Sequence, residues 1–232
     1  MTSWKSNLEV IQALLKRVNL EPESTNRILK LLCNAVQVAS NLEQWESLLR
    51  CWYQLPEKLF LIDAGTACAF VNTLRGSRNA VQCLEFSQIA LLKFETPELM
   101  IEQAWALRVL ERPFEALGLL EKALPMATGR YRVTAERLMG SVQHLLGMSD
   151  WEAHLKHAVH LCNGRDQALA LLEYASCQLN DGQYHRARES LLQAKPLLLH
   201  DEYHLAWCAY SIGLTYLRAN KVNGDPFFFG SG

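Results

Sequence analysis

The sequence predicts an all-α protein: about 12 helices joined by short turns and paired as antiparallel hairpins. Three observations carry this. Apolar residues recur at helical spacing, and no stretch of strict apolar alternation competes with them. Gly (12) and Pro (7) are scarce, and most of them fall between the periodic runs. Helix start and stop signals follow one another at close intervals along the whole chain.

Each element has its own signal. Ser3 caps a first helix ending near Val18, and Pro22 opens a second through Ile28, Leu31, Leu32, Ala35 and Val38. Asn41 with Gln44 forms a capping box for the third, each side chain satisfying an orphan backbone N–H. Pro56 stops that helix and opens the fourth as its first helical residue. Gly76-Ser77 separates the fourth from a fifth that ends near Lys93. Thr96-Pro97-Glu98 starts the sixth with a cap, a proline and an acid favourable to the helix dipole. Pro113 begins the seventh, and Gly129 precedes the eighth. Ser149 with Glu152 is a second capping box, opening the ninth, which Asn163-Gly164 ends. The tenth runs to Asp181-Gly182, the eleventh to about Pro196, and the twelfth from Asp201 to about Asn220.

Composition narrows the class of function. The formal net charge is -1, acids and bases are interspersed, and the densest basic spot is Arg75 with Arg78, so direct nucleic-acid binding is not expected. The least charged run, Leu59 to Leu74, contains Asp63 and is too short to span a bilayer. The seven cysteines form no Cys-x-x-Cys pair, and most sit in apolar helical runs. An odd count and a charged N-terminal stretch without signal-peptide character point to a reduced, cytoplasmic setting.

One segment sets a repeat register: Leu171, Tyr174, Ala175, Gly182, Tyr184, Ala187, Leu191, Ala194 and Pro196. It resembles the tetratricopeptide (TPR) consensus, in which a bulky–small pair is followed by a Gly turn, an aromatic, two spaced small residues and a proline. Ala104, Phe114, Ala116, Leu120, Ala123 and Pro125 occupy matching places, as do Trp151, Ala158 and Leu161, although His154 stands where Ala187 does. Cys68, Ala80 and Leu84 match further back, Trp45, Leu48, Trp52 and Pro56 match most weakly, and Ile212, Gly213 and Tyr216 begin another repeat. The resemblance spans residues 22–220. It implies a right-handed α-solenoid, a single TPR-like domain over residues 1–220: a lone leading helix, about five hairpins and an unfinished final repeat. A globular helical bundle would also be all-α, but the Ala, aromatic and Pro positions recur together, which favours the solenoid. Residues 221–232 read as a non-helical tail, a natural apolar end or a cut with a Gly-Ser-Gly scar. Its Phe227-Phe228-Phe229 run is a candidate cover for the open end of the stack or a contact for homo-oligomerisation.

The resemblance also implies a partner-binding groove lined by the first helix of each hairpin. Its positions fall on Asn72 and Thr73; Ile101, Trp105 and Arg108; Met139 and Gln143; Ser176, Leu179 and Asn180; and Tyr210 and Leu214. Trp beside Arg with amides nearby suits an extended peptide or a partner helix. Trp105 packing between hairpins is the alternative. Arg108 and Asn72 lack a basic companion, so the clamp for a terminal carboxylate is incomplete.

No catalytic or cofactor motif stands out. Gly-rich phosphate loops and a nucleophile elbow are absent from the sequence. His200 and His204 are four apart, but Asp201 reads as a helix cap between them. His154, His157 and His160 form a row on one helix, with Cys162 and His144 as nearby additions, and read as a solvent-facing or core-edge row. Carboxylates sit mostly at helix starts or on polar faces, with no matched acid–base pair. The expected function is therefore a protein-interaction module without a cofactor, binding a protein or peptide. Degenerate arrays of this kind are similar to the regulatory repeat regions of bacterial transcription activators. A chaperone or secretion adaptor is the alternative, and an enzyme with its site in the helical array is less favoured.

Overall fold

The computed structural model describes residues 4–16, 22–39, 41–199 and 201–222. Among them every regular element is helical: α1 (Trp4–Leu15), α2 (Pro22–Val36), α3 (Leu42–Trp52), α4 (Ala64–Gly76), α5 (Ala80–Lys93), α6 (Pro97–Val109), α7 (Pro113–Ala123), α8 (Gly129–Leu145), α9 (Trp151–Leu161), α10 (Gly164–Asn180), α11 (Tyr184–Ala194) and α12 (Glu202–Val222). Short 3-10 turns occupy Glu57–Leu61 and Lys195–Leu198. Backbone contacts gather into two compact units, Met1–Ala127 and Thr128–Gly232, described in turn.

The first unit holds α1 to α7. Successive helices pack on one another, and the even-numbered ones also touch: α2 meets α4, and α4 meets α6. That pattern is a stack of hairpins in which the first helices form one row. The predicted caps are in place. Asn41 Oδ1 accepts the Gln44 N–H at 3.0 Å, and Thr96 caps α6 with Pro97 in its first turn. One start moves. Pro56 opens the 3-10 turn, and α4 begins only at Asp63, whose carboxylate accepts the Thr66 N–H at 2.8 Å and the Thr66 hydroxyl at 2.9 Å. A true N-cap satisfies orphan donors that a proline cannot. The extra turn carries Phe60 into an aromatic cluster with Trp52, Phe70 and Phe86, the centre of this unit's core. Helices α3 and α4 cross closely at Gly76, where a Cβ would lie 2.1 Å from the Trp45 ring.

The second unit holds α8 to α12 and repeats the arrangement, with α8 touching α10. The α8–α9 crossing is made possible by Gly140, whose added Cβ would fall 2.6 Å from Leu155 Cγ and 2.7 Å from the Trp151 carbonyl oxygen. Ala168, Leu171, Leu172 and Ala175 of α10 pack with Leu191 and Ala194 of α11, Leu198 and Cys208. The capping box expected at Ser149 and Glu152 does not form. Ser149 bonds the Asp150 side chain, and Glu152 turns to Tyr174 and Arg186. Helix α12 starts as expected, the Asp201 carboxylate accepting the His204 N–H. It runs through Val222, two residues beyond the expected end. Ser3, His200 and the Phe227–Phe229 run lie outside the described residues.

The repeat shows most plainly in how four helices end. After α4, α6, α8 and α10, one residue takes a left-handed conformation: Arg78 (φ 60), Glu111 (φ 59), Gly147 (φ 68) and Gly182 (φ 73). The next N–H then reaches back to close the helix: Asn79 to Leu74 O, Arg112 to Leu107 O, and Met148 to Gln143 O, each at 2.9 Å, and Gln183 to Gln178 O at 2.8 Å. These are Schellman closures. They recur at intervals of about 35 residues, near the TPR period of about 34. The described helices are thus TPR-like hairpins in both units. A left-handed backbone costs a residue with a Cβ about 1–2 kcal/mol, and glycine almost nothing. Glu111→Gly should therefore raise stability by about 0.5–1 kcal/mol, while Glu111→Ala should not. Urea midpoints of the two variants beside the parent chain check this; equal stabilisation by both would refute the strain argument.

Candidate interaction surface

In the first unit the row of first helices is tied together by a buried carboxylate. Glu102 on α6 is fully buried (0 %). Its carboxylate meets Arg75 Nε at 3.0 Å and accepts from Asn72 Nδ2 at 3.2 Å, both from α4. Arg75 also donates to Asn72 Oδ1. Glu102 and burial together push the neighbouring Cys83 thiol well above its ordinary value, burial being the larger cause. Thr73 is buried too, accepting from Trp52 Nε1 at 3.1 Å while donating to Ala69 O. Asn72 and Thr73, expected in a groove, thus hold α3, α4 and α6 together. Ile101 is fully buried as well. Trp105 and Arg108, on the next turns of α6, are half-buried and reach the surface.

In the second unit Met139 and Gln143 are buried, as is Leu179, whereas Ser176 and Leu214 are half-buried, Asn180 is exposed and Tyr210 is 69 % exposed. Of the side chains that span α8 and α10, the sequence singles out only His144, and that as a neighbour of the histidine row. His144 Nε2 lies 2.8 Å from Asp181 Oδ1, and Arg137 lies 3.8 Å from Glu173. Gly140 was the signal that could have found them. Ala104 and Ala175 stand at the equivalent crossings in α6 and α10, so the residues three before and four after each mark one face. That rule gives Ile101 and Arg108 in α6, Leu172 and Leu179 in α10, and Arg137 and His144 in α8, where the register set by α10 falls on Met139 and Gln143.

The histidine row is divided rather than clustered. His154 Nδ1 lies 2.6 Å from Glu136 Oε2 and His157 Nδ1 2.9 Å from Glu136 Oε1, while Arg132 meets the same carboxylate at 2.8 Å. His160 is exposed, about 60° further round α9 from His157. Burial works to raise the Glu136 pKa, but the hydrogen bonds from His154, His157 and Arg132 outweigh it and hold the group below its ordinary 4.5. His204 bonds Asp201, which also takes Arg165 at 2.7 Å. Among the described residues no group of three or more His, Cys, Asp or Glu side chains is placed to hold a metal ion, and no helix is long and apolar enough to cross a membrane. All seven cysteines are free thiols.

No protein-family model and no curated protein matches the chain. The solved structures similar to it include two that cover most of the chain. One is YrrB, a TPR protein with an unusual peptide-binding site, 17% identical, with 88% of this chain and 98% of that chain covered and a TM-score of 0.48. The other is BtubC (BKLC) from P. vanneervenii, 15% identical, with 85% and 91% covered and a TM-score of 0.46.

Proposed function

We propose that this chain is a protein-interaction module that takes an extended peptide or a partner helix on the open face of its first helices. The observation that supports this most directly is the placement of Trp105 and Arg108. They are one turn apart on α6 and half-exposed, above a layer in which Ile101, Glu102, Ala104 and Leu107 are sealed. A rigid platform carrying an aromatic beside a guanidinium is the composition of interface hot spots. In the second unit Ser176, Asn180, His144 and Asp181 give a polar counterpart on α8 and α10, suited to hydrogen-bonding a peptide backbone. Asn72, Thr73, Ile101, Met139 and Gln143 support these faces from beneath in this reading. The balanced charge, -1 overall, fits a module whose partner is protein and whose nucleic-acid contact, in a transcription activator, would be made by another domain.

Peptides selected from a random display library on the parent chain provide the test ligand. Trp105→Ala and Arg108→Ala should each weaken binding about 30-fold, the loss expected of a 2 kcal/mol hot spot. Their unfolding midpoints should stay near the parent's. Unchanged affinity in both variants would reject this face, and a lowered midpoint for Trp105→Ala would assign that ring to packing instead.

A further inference from the structure

We propose that His154 and His157 form a two-histidine site for a divalent transition-metal ion of the zinc or nickel kind, with Glu136 as the carboxylate that orients both rings. The two side chains lie three residues apart on α9, so they are neighbours on one face, with Cβ atoms about 5–6 Å apart. Each turns its Nδ1 to the same group, His154 to Glu136 Oε2 at 2.6 Å and His157 to Glu136 Oε1 at 2.9 Å. At neutral pH Glu136 is ionised, and a carboxylate can only accept. Both Nδ1 atoms must therefore carry a proton, and in each neutral ring the lone pair is left on Nε2. Nε2 faces away from the Nδ1 hydrogen bond, and the two side chains are 26 and 49 % exposed, which leaves them open to ions from solution.

The shared carboxylate is what separates this pair from any two surface histidines. A ligating histidine characteristically donates its other N–H to a carboxylate or carbonyl, which fixes the tautomer and raises the basicity of the ligating nitrogen. Here one carboxylate does this for two rings before any ion arrives. Arg132 meets the same carboxylate at 2.8 Å and balances its charge, so the two nitrogens, rather than Coulomb attraction, hold the ion. The same helix carries its own control. His157 and His160 have the same spacing, but the Glu136 oxygens orient His154 and His157, and His160 stands about 60° further round. Imidazole nitrogens select Zn2+, Ni2+ and Cu2+ over Mg2+ and Ca2+. Among the described residues no third His, Cys, Asp or Glu is placed to complete the shell, so water takes the remaining positions. A closed structural site has four protein ligands; with two, this one holds an exchangeable ion. It stands whether or not the peptide-binding reading holds.

Calorimetric titration of the full chain with Zn2+ should show one ion bound per chain, and Mg2+ should not bind. Glu136→Gln keeps both ligands but lets the amide oxygen accept from one ring only, and should weaken binding about tenfold, the lower end of what an orienting partner contributes. His154→Gln and His157→Gln each remove a ligand and should weaken it more than that. His160→Gln should leave the affinity unchanged. An ion that binds only the folded chain stabilises it, so the rise in unfolding midpoint with Zn2+ should follow the same order. Circular dichroism establishes that each variant is folded. His157 is half-exposed and its variant decides the matter even if Glu136→Gln unfolds. Absence of a bound ion, or binding undiminished by His157→Gln, which would point to the free thiols, would overturn the proposal. So would a loss in His160→Gln equal to that in His154→Gln. Undiminished binding by folded Glu136→Gln would overturn it too, leaving an adventitious pair of surface histidines.

Discussion

Trp52→Ala should lower the stability of the first unit by about 3–5 kcal/mol, the largest loss expected of any single substitution in it. The side chain is fully buried (0 %) and is the largest group in that core. Its ring stands edge-on to Phe60 at 5.6 Å and to Phe70 at 5.5 Å between centroids. The three residues come from α3, the 3-10 turn and α4, so they cannot close together over the space without moving whole elements. The indole N–H bond to Thr73 adds a smaller, separable part. Thr73 keeps its own donor satisfied by Ala69 O, so its hydroxyl is not orphaned when the indole is removed. Trp52→Phe should therefore cost about 1–2 kcal/mol, from one lost hydrogen bond and a modest loss of volume. Urea denaturation followed by circular dichroism measures the total. Because stability in a repeat array is a sum of local terms, hydrogen exchange should place the loosening in α3 to α5. If Trp52→Ala and Trp52→Phe cost the same, ring packing is not what holds this corner together.

The hairpin order was legible in the sequence because caps and turns are local. Asn41, Thr96, Pro113 and Asp201 each act on the next three residues, and each starts a helix where expected. The repeat was half hidden for an equally physical reason. Two of the four left-handed closures are glycines, Gly147 and Gly182, and can be read directly. The other two use Arg78 and Glu111, which announce nothing, because the fold imposes a backbone that their side chains disfavour. In α8 the closing Gly147 is legible, but a register set on α10 alone does not use it and falls on buried Met139 and Gln143. The remaining gap is non-local. Glu102 and Glu136 look like ordinary helix-surface acids in sequence, and become buried only because Arg75 and Asn72, or His154 and His157, arrive from other helices. A single sequence carries no signal for such pairings. His144 and Asp181, which meet across α8 and α10, are legible only as far as Gly140 marks the face of α8 that carries His144.

Glu136→Ala should cost the second unit about 3 kcal/mol at neutral pH, and that cost should shrink in acid. The carboxylate is almost sealed (1 % exposed) and receives three side chains, one from its own helix and two from α9. Removing one member of a buried ionic group is expensive because the others lose their partner, about 3–5 kcal/mol where they too are sealed. Here Arg132, His154 and His157 are respectively 34, 26 and 49 % exposed, so water can take over part of their solvation. That places the loss at the lower end. The sign with pH follows from the direction of the shift. Burial would raise the Glu136 pKa, but the three hydrogen-bonding partners hold it below 4.5. A carboxyl that binds its proton less readily when folded contributes its stability above the unfolded pKa, and loses it as pH falls through the lower folded value. The difference between the parent chain and Glu136→Ala should thus be full at pH 7 and decline below about pH 4.5. Unfolding midpoints measured from pH 7 down to pH 3 trace this; a constant difference would mean that Glu136 acts by filling space. His154→Gln tests the same group from α9. It should reproduce part of the loss at pH 7 and, in the double variant with Glu136→Ala, add little, since both changes remove one shared hydrogen bond.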